Sequence, residues 1–286
     1  MIMIIDGKSL AEKIKASLRE EISGKNKSAP KRIRLAVVLV GEEKVMGKFV
    51  ALKQKFGSEI GVDVRIYELP PDISTNKLRE KISEIVHIKE NDGVIIQLPL
   101  PAQINMQYVL DAIIPEKDPD VLSSKSWGLF STGKGKILPP VVGAIKSIFD
   151  EYKVELKGKN IVVVGAGRLV GKPVAAWLLN QKATVSVIDE NTMNPKNFMK
   201  GADIIISGAG KPKLITLDMV KEGVVAIDCG TSEEGSPSPS SGRQAKLVGD
   251  FDPEVSQKAA FFSPVPGGVG PLTVVMLFKN LVELSK

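Results

Sequence analysis

Hydrophobic and polar positions along the chain switch repeatedly between a helical period and short apolar runs. Residues 10–22 repeat apolar side chains at helical spacing. Ile33-Arg34-Leu35-Ala36-Val37-Val38-Leu39-Val40 has the length of a buried strand and ends at Gly41. Residues 47–60 read as a helix closed by Gly61, and residues 62–67 as a second strand. Residues 74–89 are helical, with Ser74 in position to cap the first turn. Residues 93–97 form a third strand, stopped by Leu98-Pro99-Leu100-Pro101. Strands separated by helices, with apolar runs too continuous for one wet face, predict a parallel sheet covered by helices on both sides.

The pattern breaks between residues 115 and 143, where Pro, Gly, Ser and charge accumulate, and a domain boundary is expected there. It then restarts, with strands at 160–164, 184–188, 203–207 and 224–228 and a helix at 171–180. Residues 232–242 are rich in Ser, Pro and Gly and read as a surface hairpin or mobile loop. A final helix is expected from Leu272, with Pro271 in its first turn.

Composition narrows the chemistry. The 286 residues include one Cys and one His, so neither an intrachain disulfide nor a multi-Cys or multi-His metal site is available. His87 falls on a helical face and reads as an ordinary helix residue, and Cys229 as a small residue at a strand end. Acid–base work is left to Lys, Asp, Glu or Tyr, or to a cofactor, and no metal is expected. The net charge of +6 permits an acidic partner without demanding one. The densest basic run, residues 25–34, follows Gly24 and contains Pro30, lacks aromatic interleaving and reads as a solvated loop; no nucleic-acid partner is expected. No apolar stretch is long enough to span a membrane, and the first residues, interrupted by Asp6, do not read as a signal peptide, so the expected address is cytoplasmic.

Four constellations carry candidate chemistry. Val163-Val164-Gly165-Ala166-Gly167-Arg168-Leu169-Val170-Gly171 takes a buried strand through a glycine turn into a helix. Such a turn lets backbone N–H groups approach a pyrophosphate at the positive end of a helix, and Asp189 closes the next strand where an acid can meet a ribose. Phe49 and Lys53 are four residues apart on one helix face. On spacing alone Lys53 is a surface lysine of an amphipathic helix; placed beside a ring under a cleft, it would have a lowered pKa and exchange protons near neutrality. Gln97 ends a strand at the edge where parallel sheets bind ligands, or simply closes that strand. Lys117-Asp118-Pro119-Asp120 is by itself a turn.

Taken in order, these segments resemble the bifunctional methylenetetrahydrofolate dehydrogenase/methenyltetrahydrofolate cyclohydrolase family. The likeness runs from Ile5-Asp6-Gly7-Lys8 to the C-terminal helix, and its most specific part is Pro264-Val265-Pro266-Gly267-Gly268-Val269-Gly270-Pro271-Leu272-Thr273. The resemblance implies two α/β domains flanking a cleft: a folate-binding domain, residues 1–120 plus 272–286, and a Rossmann-type dinucleotide-binding domain, residues 140–270. It implies catalytic roles for Lys53, Gln97 and Asp120. A tetrahydrofolate substrate would be held by those residues with Phe49, Leu98, Pro266, Gly267 and Gly268. The dinucleotide would lie on Gly165, Ala166, Gly167, Arg168, Gly171, Asp189, Glu190 and Thr231. A homodimer is expected. Phe49 stands where the family has tyrosine, Asp120-Val121 where it has Asp-Gly, and Gly165-Ala166-Gly167 where it has a G-x-S turn.

The implied activity belongs to one-carbon metabolism. It is oxidation of 5,10-methylenetetrahydrofolate with NAD or NADP, then hydrolysis of the methenyl product to 10-formyltetrahydrofolate. Two carboxylates at Asp189-Glu190 would repel the 2′-phosphate of NADP, which favours NAD. The alternatives are another two-domain dehydrogenase, resembling shikimate dehydrogenase, and a non-catalytic relative that binds dinucleotide or folate.

Overall fold

The computed structural model describes residues 3–28, 32–41, 43–234 and 246–286, with the side chains of residues 25–28 and 43–49 outside the description. In chain order the elements are β1 (Met3–Ile4), α1 (Gly7–Ser28), β2 (Arg34–Val40), α2 (Glu43–Ile60), β3 (Asp63–Leu69), α3 (Thr75–His87), β4 (Gly93–Ile96), α4 (Met106–Leu110), α5 (Ser124–Ser131) and α6 (Pro140–Tyr152). They continue with β5 (Asn160–Val164), α7 (Gly171–Asn180), β6 (Thr184–Ile188), α8 (Pro195–Lys200), β7 (Ile204–Ser207), β8 (Val224–Asp228), β9 (Ser232–Glu234), β10 (Lys246–Val248), β11 (Ala259–Phe262) and α9 (Val269–Leu284). Two compact units result: Met1–Ala11 with Val141–Thr273, and Glu12–Pro140 with Val274–Lys286.

The second of these units is built on a three-stranded parallel sheet in the order β3-β2-β4. β2 is central and buried over all but its first residue, as its unbroken apolar run requires. α3 buries Leu78, Ile82, Ile85 and Val86, one helical stripe, and Ser74 caps it by accepting the Lys77 N–H. His87 returns its Nδ1 to the Ser83 carbonyl at 2.7 Å, the ordinary helix role expected of it. The end of α9 packs here: Phe278 lies 4.8 Å from Phe56, centroid to centroid, and Leu281 closes over Gly93.

The other unit holds a six-stranded parallel sheet in the order β1-β11-β8-β7-β5-β6. From β5 the chain goes outward to β6, then crosses back to β7 on the other side. The strand order therefore reverses at β5, and the glycine turn leaves the sheet at that switch point. β9 and β10 form an antiparallel hairpin, while residues 235–245 of the Ser/Pro/Gly-rich segment lie outside the described residues.

Four sequence expectations change. Residues 3–11, expected in the folate-binding domain, belong to the six-stranded unit, because β1 pairs with β11 and Gly7 packs against Gly268. A Cβ on Gly7 would stand 1.8 Å from the Gly268 carbonyl oxygen, so only glycine fits. The expected boundary segment 115–143 is structured up to Pro140 within the three-stranded unit. There the buried Asp118 carboxylate accepts the Ser123 N–H and hydroxyl at 2.9 and 2.7 Å and so anchors the start of α5. α9 starts at Val269, with Pro271 in the first turn, where its missing N–H costs nothing. The basic stretch at 25–34 begins within α1; its residues 29–31 lie outside the described residues. Among the described residues, no helix is long and apolar enough to cross a membrane.

Candidate active site

Lys53 projects from α2 and Gln97 follows the last residue of β4. Both are half-buried, and Lys53 Nζ donates to Gln97 Oε1 at 2.8 Å. The amide group of Gln97 is held from its other side, since Nε2 donates to the Leu98 carbonyl at 2.9 Å. That bond turns Oε1 toward the lysine, and the half-buried Leu98 contributes its backbone rather than a polar side chain. Burial lowers the Lys53 pKa, and the negative charge of Asp120 opposes that shift. The same burial raises the Asp120 carboxyl to about 6, against the Lys53 cation, with Asp118 adding to the rise. Burial thus pushes both groups toward their neutral forms, while the charge of each opposes the shift of the other. Neither shift is visible in the sequence, where the same lysine is a surface residue of an amphipathic helix. Phe49 is in α2, one turn before Lys53; its side chain lies outside the described residues.

The backbone before Asp120 is held from two sides. Lys117 Nζ donates to the Val86 and Ile88 carbonyls at 2.7 and 3.0 Å, closing the end of α3. Asn280 of α9 donates Nδ2 to the Pro119 carbonyl at 2.8 Å and to the Leu138 carbonyl at 2.7 Å. Sequence reading missed Asn280, because nothing local ties a C-terminal helix residue to a turn 161 positions away. After Asp120 comes Val121, buried and at φ +58°. A β-branched residue in this left-handed region is strained, which gives a physical meaning to the glycine that the family pattern has there.

In the other unit, the glycine turn has the features a dinucleotide cradle needs. Gly165 is at φ +95°, and a Cβ there would meet the Gly208 carbonyl oxygen at 2.9 Å. A Cβ on Gly171 would stand 1.8 Å from the Gly165 carbonyl oxygen. The absent side chains let the first turn of α7 close directly on the loop. Ala166 is half-buried, while Gly167 and Arg168 are exposed, and open space lies where a Gly167 Cβ would be. These residues fit a pyrophosphate at a helix N-terminus. Asp189 is half-buried and bound into its own turn: Oδ1 accepts the Asn191 N–H at 3.0 Å, and Thr192 Oγ1 accepts the Asp189 N–H at 3.0 Å. Glu190 and Thr231 are exposed. Pro266, Gly267 and Gly268 belong to this unit, in the loop before α9. There Gly268 donates to the Pro264 carbonyl, and a Cβ on it would be 2.6 Å from that oxygen.

Residues 139–286 match the sequence model of the tetrahydrofolate dehydrogenase/cyclohydrolase NAD(P)-binding domain, and residues 5–120 that of the catalytic domain. The chain belongs to the tetrahydrofolate dehydrogenase/cyclohydrolase family. The bifunctional protein FolD of Nitratiruptor is 39% identical over 286 residues, covering 100% of this chain and 98% of that one. The solved FolD structure from Campylobacter jejuni superimposes with a TM-score of 0.93 at 36% identity, covering 100% and 99% of the two chains. The FolD of Trypanosoma brucei, solved with NADP cofactor and inhibitor, gives 0.92 at 33% identity, covering 99% and 97%. A chorismate mutase/shikimate 5-dehydrogenase fusion protein of Clostridium acetobutylicum gives 0.50 at 11% identity, a likeness of fold alone. The alternative of a shikimate-dehydrogenase-like enzyme therefore yields to membership of the dehydrogenase/cyclohydrolase family.

Proposed function

We propose that Lys53, Gln97 and Asp120 form the catalytic centre of a methylenetetrahydrofolate dehydrogenase and methenyltetrahydrofolate cyclohydrolase. The observation that carries this reading is the 2.8 Å bond from Lys53 to Gln97, with the Asp120 carboxyl acting on the same amine, all three on different elements of one unit.

In the first reaction a hydride leaves the methylene carbon of 5,10-methylenetetrahydrofolate, expelled by the lone pair of the folate nitrogen. A nicotinamide dinucleotide, held at Gly165, Ala166, Gly167, Arg168 and Gly171 with Thr231, supplies the hydride acceptor when bound. The chain needs little acid–base chemistry for this step. The second reaction adds water to the cationic methenyl carbon and breaks its bond to the N5 nitrogen, which takes a proton. Lys53, with its pKa lowered by burial, accepts a proton from the attacking water. Gln97 holds one Nζ hydrogen and so aims the amine. Asp120 holds the pterin ring, and Phe49 supplies a stacking face.

NAD is the preferred dinucleotide in this reading. Glu190 and Asp189 set two carboxylates at the end of β6, where a 2′-phosphate would be repelled. Purified protein assayed spectrophotometrically with methylenetetrahydrofolate and NAD or NADP, and separately with methenyltetrahydrofolate, tests the whole reading. Both activities are expected; the absence of either removes the corresponding half.

A further inference from the structure

Two buried acids in the six-stranded unit take no part in this chemistry. Asp228 ends β8 and Asp250 follows β10; they are 2% and 0% exposed. Asp250 gathers the loop that follows β7. Its Oδ2 accepts the Ser207 hydroxyl at 2.7 Å, the Ala209 N–H at 2.7 Å and the Gly210 N–H at 3.3 Å, and its Oδ1 accepts the Lys211 N–H at 2.9 Å. Three successive N–H groups turned to one side form a concave anion nest, and here the protein's own carboxylate fills it.

Asp228 does the same for the next loop. Its Oδ1 accepts the Gly230 N–H at 2.9 Å and the Asp250 N–H at 3.1 Å, and Oδ2 accepts the Phe251 N–H at 3.0 Å. Ser232 then ties the two loops together by donating to the Gly210 carbonyl at 3.0 Å. The glycines leave room for the acids: a Cβ on Gly230 would stand 2.1 Å from the Asp250 carboxyl, and one on Gly249 2.0 Å from the Asp228 carboxyl. The network reaches the glycine turn as well. The Gly208 backbone packs on Gly165, and a Cβ on Gly208 would stand 2.3 Å from the Val170 side chain.

We infer that Asp250, supported by Asp228, is a positioning residue for the dinucleotide, holding the loops after β7 and β8 in register with the glycine turn. The inference rests on the assignment of the dinucleotide to this sheet edge. Asp250 touches no reacting atom; it acts through Ala209, Gly210, Lys211 and Gly208, and Asp228 acts through Gly230 on Thr231.

Asp250→Asn keeps the shape but places an NH2 against at least one N–H or O–H donor. Binding of NAD and of NADP is measured by fluorescence titration, alongside dehydrogenase kinetics and cyclohydrolase turnover without dinucleotide. The expected result is a dinucleotide Kd and KM raised tenfold or more, with saturated dehydrogenase kcat within about threefold and cyclohydrolase turnover within about twofold. Ser207→Ala, which removes a single donor, keeps the test open if Asp250→Asn does not fold; a rise in Kd of about threefold is expected. Wild-type Kd values in the folded variants overturn the inference, and so does an equal fall of both activities in folded Asp250→Asn. Failure of the wild-type protein to bind either dinucleotide overturns the functional reading instead.

Discussion

Asp120→Asn separates stability from function at the centre of the site. Burial lifts the Asp120 carboxyl from its ordinary 3.8 to about 6. At neutral pH the folded protein therefore carries an ionised group that it disfavours relative to the unfolded chain. A rise of about two pH units, at about 1.4 kcal/mol each, corresponds to about 3 kcal/mol. The sign follows from proton counting. Below 3.8 the group is protonated in both states and costs nothing. Between 3.8 and 6 the folded state binds the extra proton, so stability falls as pH rises, and above 6 the full cost is present. Asparagine removes the titration and keeps one carbonyl acceptor. The variant is therefore expected to exceed wild type by up to about 3 kcal/mol at pH 7.5 and by about half of that at pH 5. At about 2–4 °C per kcal/mol, Tm rises by several degrees at pH 7.5. Under the role proposed for Asp120, folate turnover is expected to fall, because the neutral amide carries no charge to meet the pterin or the Lys53 amine. Urea unfolding at the two pH values, with both activities measured in parallel, makes the comparison. A variant that is less stable than wild type at pH 7.5, or whose advantage does not grow from pH 5 to 7.5, would refute the claim that Asp120 is held ionised against its burial.

Other outcomes follow from single contacts. Lys53→Met is expected to lower cyclohydrolase kcat by about 100-fold or more and dehydrogenase kcat by less, measured on the same preparation; an unchanged cyclohydrolase rate removes Lys53 from the mechanism. Val121→Gly relieves about 1–2 kcal/mol of left-handed strain while giving up a buried side chain of similar worth, so stability in urea is expected within about 1 kcal/mol of wild type. A loss above about 3 kcal/mol would show that position 121 is unstrained. Gly171→Ala drives a Cβ into the Gly165 carbonyl, and dinucleotide binding is expected to disappear while cyclohydrolase turnover persists. For the wild-type protein, kcat/KM with NAD is expected to exceed that with NADP by tenfold or more; a tenfold advantage for NADP would show that Arg168 outweighs Asp189 and Glu190.

Much of the architecture is legible in the chain because it rests on local pattern. The buried runs at β2, β4, β5, β7 and β8 are too continuously apolar for any place but the interior of a parallel sheet, and the turn at Gly165 needs a backbone that only glycine adopts cheaply. Lys53, Gln97 and Asp120 could be singled out because a family pattern spans the whole sequence, though spacing alone leaves Lys53 a surface residue. The tertiary structure decided what depends on groups far apart in the chain. β1 is two residues long and finds its place only by pairing with β11, so no periodicity assigns it. Asn280 reaches Pro119, and Asp250 gathers residues 207–211, across separations that no local signal records. The environment of Lys53 was likewise settled by folding. A lysine's proton affinity depends on how much water surrounds it and which charges face it, and both are set when α2, β4 and the turn at Asp120 come together.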